Sequence, residues 1–105
     1  MQRITITKLR TKVDELNKEY GLSDNSPCKL EVLYAYGGYQ VILRVNQPFG
    51  NFAYPITIGF YPAKDTYSYL IYEDMYLGLS AKIDKISREL IESYNRRHRW
   101  IYMLN

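Results

Sequence analysis

The sequence has very few of the residues that build catalytic centres and covalent cross-links. Its 105 residues include one cysteine, Cys28, and one histidine, His98. A single thiol excludes a disulfide within these residues and a zinc site built from cysteines. His98 lies within an arginine-rich stretch, which is typical of a solvated basic cluster rather than of a catalytic base. We therefore predict a protein that is not an enzyme and needs no metal or cofactor.

Long apolar runs are also missing. No stretch approaches the roughly 20 apolar residues that span a bilayer, and the opening residues MQRITIT do not resemble a secretion signal. Together with the lone thiol, this predicts a protein of a reducing cytoplasm, neither secreted nor bound to a membrane.

The net charge is small, at +3, and is unevenly distributed. A dedicated nucleic-acid-binding face usually needs a larger, clustered positive charge. Between Leu30 and Leu79 the only basic residues are Arg44 and Lys64. The same stretch holds four acids: Glu31, Asp65, Glu73 and Asp74. Positive charge is therefore concentrated on either side of this stretch.

Tyrosine is what the sequence has in excess, with 12 residues against three phenylalanines. A phenol joins a large apolar ring to a hydroxyl, so it suits half-buried sheet faces and contact surfaces better than a dry core. The hydrophobic share of 47% is ordinary for a globular protein. We predict a single α+β domain over residues 1–105, in which residues 98–105 form an apolar C-terminal tail.

Two segments have the periodicity of amphipathic helices. Apolar residues recur in the first at spacings of four, three and four: Leu9, Val13, Leu16 and Tyr20. Thr5 or Thr7 is the expected N-cap, and Gly21 is the expected left-handed stop. The other segment begins at Asp74 or at Ser80, either of which can act as an N-cap, and ends near Arg97. It carries a comparable stripe: Leu79, Ile83, Ile86, Leu90 and Tyr94.

A first hairpin is predicted over residues 28–46, because Gly37 and Gly38 separate two runs of strand-forming residues and tolerate the positive φ of a two-residue turn. The opposed pairs would be Tyr36 with Tyr39, Tyr34 with Val41 and Val32 with Leu43 on one face, and Glu31 with Arg44 on the other. Opposite charges at facing positions support this register.

A second hairpin is predicted from residues 55–61 and 66–72, joined by a loop at 62–65. It would turn four side chains toward the helices: Ile56, Ile58, Phe60 and Ile71. The predicted fold is α+β, with a four-stranded antiparallel sheet of two hairpins and an N-terminal and a C-terminal helix packed on one face. The other face would stay open to water or a ligand.

Three segments carry a family resemblance. The first holds Ile4, Leu9, Val13, Leu16-Asn17-Lys18 and Gly21, the second runs from Ala35-Tyr36-Gly37-Gly38-Tyr39 to Arg44-Val45-Asn46, and the third spans 79–86. Together they resemble a family of small proteins of tailed phages, prophages and related mobile elements that has no established activity. The resemblance implies an accessory protein in the cytoplasm of a bacterial host cell, and it supplies no site residues.

The turn at Tyr36-Gly37-Gly38-Tyr39 is the main candidate binding site, with Arg44 on the same hairpin. Glycine amides between two phenol rings allow a ligand or partner backbone to approach closely. The structural alternative is a tight turn closed by an aromatic pair. The leading hypothesis is a non-catalytic protein that binds, and inhibits or sequesters, a host factor, either a defence protein or a small nucleotide.

A nucleic-acid-binding module is the first alternative. Its contacts would come from the basic residues of two segments: Lys8, Arg10, Lys12, Arg96, Arg97 and Arg99. They would form one surface if the two helices lay side by side. A solvated helix end is the structural explanation of the same arginines.

A small oligomeric assembly component is the second alternative. The apolar residues 100–104 could dock on the sheet or on another copy of the chain. Trp100 and Tyr102 would then be the contacts between copies.

Overall fold

The computed structural model describes the backbone of residues 5–104 and the side chains of residues 5–99. The elements are α1 (Ile6–Glu19), β1 (Cys28–Ala35), β2 (Gly38–Val45), β3 (Ala53–Pro55), α2 (Ala63–Tyr76) and α3 (Leu79–Leu104). The strands form one antiparallel sheet in the order β1-β2-β3. The fold is α+β, but the predicted four-stranded sheet of two hairpins is wrong. Over residues 5–104 there are three strands and three helices.

One hydrophobic core joins the three helices to one face of the sheet. Its buried members include Leu9, Val13 and Leu16 of α1, Leu30, Val41 and Leu43 of the strands, Leu70 of α2, and Leu79, Ile83 and Leu90 of α3. The apolar stripes predicted for the first and last helices are therefore the sides of those helices that pack in the core. Burying a leucine side chain fully contributes about 1.5–3 kcal/mol to the stability of the fold.

α1 begins and ends as predicted. The Thr5 hydroxyl accepts a hydrogen bond from the Lys8 N–H at 3.3 Å. At the other end Gly21 has a φ of +66°, and the Leu22 N–H donates to the Asn17 carbonyl at 2.7 Å. This left-handed stop favours glycine because it lacks a Cβ.

The Asn17 side chain fixes α1 to the outer edge of β1. Its amide nitrogen donates to the Leu30 carbonyl at 3.0 Å, and its oxygen accepts from the Leu30 N–H at 2.9 Å. Asn17 is buried. β1 is an edge strand, and the two hydrogen bonds of the Asn17 amide satisfy the Leu30 backbone groups that a further strand would otherwise pair with.

The first hairpin forms, but its turn lies one residue earlier than predicted. The turn residues are Tyr36, with φ 53°, and Gly37, with φ 74°. The pairs on the core side are therefore Tyr34 with Tyr39, Val32 with Val41, Leu30 with Leu43 and Cys28 with Val45. Each residue meets a partner two positions away from the predicted one, so every side chain stays on its predicted face. The faces were predicted correctly, and the opposed pairs were wrong.

The predicted second hairpin is wrong because its loop and second strand form α2. Pro62 precedes the helix and has a φ near that of a helical residue, which suits a helix start. The buried residues of α2 follow helical spacing: Thr66, Leu70 and Glu73. Two of these three are polar, so a hydrophobicity pattern misses them. Tyr67, Tyr69 and Ile71 meanwhile alternate as in a strand.

The segment predicted as the strand at 55–61 pairs with β2 only in places. The Ile56 and Thr57 N–H groups both donate to the Val41 carbonyl, at 2.9 and 3.2 Å. The chain then bulges away and returns to β2 at a single bridge between Tyr39 and Tyr61. Two donors on one acceptor are the mark of a bulge, which re-aims the side chains that follow.

The bulge decides which of the predicted core residues are buried. Ile56 is buried in the core, as predicted. Phe60 and Ile71 are only half-buried, and Ile58 is 69% exposed. The inward position predicted for Ile58 is wrong because the strand it was assigned to does not continue past Thr57.

Candidate functional site

The predicted turn site is divided between exposed and structural residues. Tyr36 is 92% exposed, and Gly37 has open space where a Cβ would stand. Gly38 is buried, and a Cβ there would lie 2.7 Å from the backbone of residues 60–61. Both backbone polar groups of Tyr39 bond to Tyr61, at 2.8 and 3.1 Å. Only Tyr36 and Gly37 are therefore accessible to a partner.

Arg44 is not brought to the turn. It lies six residues along β2 from Gly38, which corresponds to about 20 Å, and its side chain is on the open face of the sheet. It donates to the Glu31 carboxylate. Glu31 stands opposite Ile42 and not opposite Arg44, so this ion pair is diagonal. The predicted direct opposition of the two charges is wrong, although the pair itself forms.

The open face of the sheet is not the tyrosine face that the composition suggests. Its side chains along β1 and β2 are Lys29, Glu31, Leu33, Gln40, Ile42 and Arg44, of which Ile42 is buried. Three of the 12 tyrosines lie in the strands, all of them on the core side, whereas four lie in α2. Exposed tyrosines lie in α2 (Tyr72 and Tyr76), at the turn end of β1 (Tyr34) and outside the helices and strands (Tyr36 and Tyr61).

α2 buries two polar residues beside Leu70 and exposes three large apolar side chains. Thr66 and Glu73 are buried against the rest of the protein, while Tyr72, Met75 and Tyr76 are 50%, 64% and 69% exposed. The rings of Tyr72 and Tyr76 lie 5.4 Å apart. A surface helix normally shows the opposite arrangement. A contiguous exposed apolar stripe is a mark of a contact surface.

The buried polar residues of α2 have specific partners. The Thr66 hydroxyl lies 3.0 Å from the Tyr39 carbonyl, and Lys82 Nζ donates to Glu73 Oε2 at 2.8 Å. Buried polar groups are tolerated when they are hydrogen-bonded. These partners come from β2 and α3, so they hold Thr66 and Glu73 inward on either side of Leu70.

A groove continues the exposed stripe from α2 to the bulge that follows β3. It has a volume of about 350 Å³ and is lined by Thr57, Ile58, Tyr61, Asp65, Thr66 and Tyr69. Beyond it, the Tyr36 ring meets Phe60 edge-on at 5.3 Å. We call seven side chains the tyrosine surface, all of them exposed except the half-buried Tyr69: Tyr36, Ile58, Tyr61, Tyr69, Tyr72, Met75 and Tyr76.

Most of the tyrosine surface was missed from the sequence, and only Tyr36 was a candidate. A signal for the rest exists, since Tyr69, Tyr72 and Tyr76 are spaced by three and four residues, as on one helical face. It was obscured by the alternation of Tyr67, Tyr69 and Ile71, which is typical of a strand.

Glu73 and Asp74, adjacent acids near the end of α2, hold helices together. Glu73 pairs with Lys82 at the start of α3, and the Tyr20 hydroxyl at the end of α1 donates to the Asp74 carboxylate. Burial raises the pKa of the Tyr20 phenol, and the neighbouring Asp74 carboxylate raises it further. Both acids therefore have structural partners.

The first basic set lies toward the hairpin turn. Asn17 bonds to Leu30, and Arg10 lines a groove with Val32, so α1 points its N-terminal half along β1 toward the turn. Lys8 follows at that end, with its ammonium 5.6 Å from the centre of the Tyr67 ring. Lys12 is half-buried in the same half of α1.

The second basic set lies at the opposite end of the sheet. Tyr94 of α3 contacts Phe49 with ring centres 5.1 Å apart, and Arg97 donates to the Phe49 carbonyl at 3.3 Å. Phe49 belongs to the loop after β2, at the far end from the turn. Arg96 and Arg99 are exposed nearby on α3. The structure therefore does not unite the two basic sets in one surface.

The residues predicted to join copies of the chain lie beyond those whose side chains the structure describes. The backbone of residues 98–104 continues α3, so the predicted end of this helix near Arg97 is wrong. The side chains of Trp100 and Tyr102 lie beyond the residues whose side chains the structure describes. Their role in oligomerisation stays a prediction.

Comparison with known proteins adds no family. No family model matches the chain, and no curated protein or solved structure is significantly similar to it. The resemblance to phage and prophage proteins therefore stays a prediction. Within residues 5–104 no helix is long and apolar enough to cross a membrane. The described residues also contain no group of three or more metal-ligating side chains.

Proposed function

We propose that this protein is a non-catalytic binding protein that holds a partner protein against the tyrosine surface. The observation that carries the proposal is the exposed apolar side of α2, where Tyr72, Met75 and Tyr76 face water while Thr66, Leu70 and Glu73 are buried. Exposing these side chains to water has no structural benefit for the free protein. Covering them with a partner would recover that hydrophobic free energy.

The chemistry of the tyrosine surface favours a protein over a small nucleotide. Tyrosine and methionine are enriched in protein interfaces, where tyrosine often contributes much of the binding energy. The groove and the exposed stripe together follow α2 from Asp65 to Tyr76, about 16 Å of helix, so the surface is extended rather than enclosed. Asp65 is the only ionised group lining the groove, and its charge would repel a phosphate.

The resemblance to phage and prophage proteins supplies the proposed setting. An accessory protein of a mobile element would meet its partner in the bacterial cytoplasm. The partner is then a host protein that the chain inhibits or sequesters by covering part of its surface.

A pull-down from bacterial lysate tests this proposal. The bait is the full chain, compared with a Tyr72→Ser/Tyr76→Ser variant and with Ile91→Ser, which changes an exposed apolar residue on α3. We expect one protein to be captured by the wild type and by Ile91→Ser and lost with the double variant. Capture that is equal for all three baits, or no captured protein, would contradict the proposal. Circular dichroism on each bait confirms that it is folded.

A further inference from the structure

Asp65 differs from the other acids in the middle of the chain. Three of the four have side-chain partners on another element: Glu31 with Arg44, Glu73 with Lys82 and Asp74 with Tyr20. The Asp65 carboxylate makes no hydrogen bond or ion pair with any residue that the structure describes. Asp65 lies in the first turn of α2, where a negative charge interacts favourably with the helix dipole. This interaction leaves both carboxylate oxygens free for a ligand.

The groove beside Asp65 is lined by aromatic rings, and its threonine hydroxyls already have hydrogen-bond partners. Tyr61 and Tyr69 contribute phenol rings, and Ile58 contributes an apolar side chain. The two threonines of the groove use their hydroxyls elsewhere. Thr57 Oγ1 accepts from the Val41 N–H at 2.9 Å, and Thr66 Oγ1 is within 3.0 Å of the Tyr39 carbonyl. Asp65 is therefore the one ionised group in the groove available to a ligand.

A carboxylate beside phenol rings is complementary to a cation with a flat face. A guanidinium stacks on an aromatic ring and donates two parallel hydrogen bonds to a carboxylate. The groove, at about 350 Å³, lies in the roughly 300–1,000 Å³ range of pockets that hold small ligands. An arginine side chain fits this chemistry, whereas an anionic or purely apolar group leaves Asp65 unpaired.

We propose that the groove between α2 and the bulge after β3 binds an arginine side chain of the partner protein. This rests on the proposed function, because it names the group that the partner inserts into the tyrosine surface. Tyr61 and Tyr69 provide the stacking surface, and Asp65 provides the opposite charge. The stripe at Tyr72, Met75 and Tyr76 then packs against the apolar residues around that arginine.

The test is an NMR titration of the full chain with capped tripeptides, Ala-Arg-Ala and Ala-citrulline-Ala. Citrulline has nearly the same shape as arginine but no charge, so it isolates the charge contribution. We expect Ala-Arg-Ala to shift the amides of Ile58, Tyr61, Asp65 and Tyr69. The citrulline peptide and the Asp65→Asn variant should each weaken binding by roughly fivefold, as expected for an exposed cation–π contact with a surface ion pair. Asp84→Asn, which removes an exposed acid from α3, should change nothing.

Three outcomes would overturn the proposal. They are equal shifts with arginine and citrulline, binding unchanged in Asp65→Asn, or shifts confined to the groove between α1 and β1 that Asp14 and Lys29 line. The pull-down separates this failure from failure of the proposed function. If the Asp65→Asn bait still captures the partner and the Tyr72→Ser/Tyr76→Ser bait does not, the tyrosine surface is the binding site and the arginine proposal is wrong.

Discussion

At the scale of single residues, the two glycines of the hairpin have different tasks. Gly37 occupies a left-handed turn position with open space around it, whereas Gly38 lies in β2 against the backbone of residues 60–61. The sequence contains both glycines side by side, and nothing local distinguishes them. The close approach of residues 60–61 decides that Gly38 belongs to the strand.

Replacing each glycine with alanine should destabilise the protein to a different extent. We expect Gly37→Ala to lower the free energy of unfolding by about 1–2 kcal/mol, the cost of a left-handed residue with a Cβ. Gly38→Ala should cost more, about 3 kcal/mol, because its Cβ would collide with backbone that has to move. Urea unfolding measures both values. An equal loss for the two variants would contradict the different packing of the two glycines.

Tyr20 should make stability depend on alkaline pH. Its pKa is raised in the folded protein by burial and by Asp74, above the value of about 10 expected when unfolded. Its contribution to stability is therefore complete below pH 10 and is lost as the pH rises from 10, because the unfolded chain ionises first.

The measurement is the free energy of unfolding between pH 8 and pH 11.5 for the wild type and Tyr20→Phe. We expect the wild type to lose stability more steeply above about pH 10 than Tyr20→Phe does. Tyr76→Phe, which removes an exposed hydroxyl, should keep the wild-type slope. Parallel curves for the wild type and Tyr20→Phe would show that Tyr20 is not the responsible group.

At the scale of elements, α2 is where sequence pattern and structure disagree most. α1 and α3 bury apolar stripes that are visible from their spacing, for example Leu9 and Val13 or Leu79 and Ile83. α2 buries Leu70 together with Thr66 and Glu73, and the environment of these two polar residues depends on β2 and α3. A pattern of hydrophobic residues cannot show that a glutamate is inside, because the lysine that pairs with it comes from another element.

The Glu73–Lys82 pair should therefore matter for the position of α2. Lys82→Met keeps the length of the side chain and removes the charge, which leaves Glu73 buried without its partner. We expect a loss of about 1–3 kcal/mol in the free energy of unfolding, less than for a fully buried pair because Lys82 is half exposed.

Two further variants serve as controls for this pair. Lys85→Met, at a neighbouring α3 position, should change stability by less than about 0.5 kcal/mol. Adding Glu73→Gln to Lys82→Met should recover part of the loss, since the buried charge is then gone. If Lys82→Met and Lys85→Met had the same effect in thermal or urea unfolding, the pair would not be holding α2.

At the scale of the whole molecule, the two basic sets lie at opposite ends of the sheet. Lys8 is at the end with the turn, and Arg97 is at the end with Phe49. The nucleic-acid alternative would have to use one set at a time. We therefore expect weak binding of DNA or RNA that is lost steeply as salt is raised.

Fluorescence anisotropy with labelled single-stranded DNA between 50 and 300 mM salt measures this. Two matched variants replace the sets separately with alanine. The first variant changes Lys8 and Arg10, and the second changes Arg96 and Arg99. Tight binding at 150 mM salt that needs both sets would contradict their separation. Light scattering on the same full-length samples reports whether copies associate, as predicted from Trp100 and Tyr102.

Local pattern by itself determined the position of α1, the apolar stripe of α3, the stop at Gly21 and the two faces of the hairpin, but not the end of α3, which continues past Arg97 to Leu104. These depend on spacing and on backbone preferences within a few residues. The tertiary structure decided the register, because residues 60–61 pack on Gly38, and it decided that residues 63–76 form a helix. It also turned Thr66 and Glu73 inward, since their partners Tyr39 and Lys82 lie on other elements. The tyrosine surface is the outer side of that arrangement, and no local pattern specifies it.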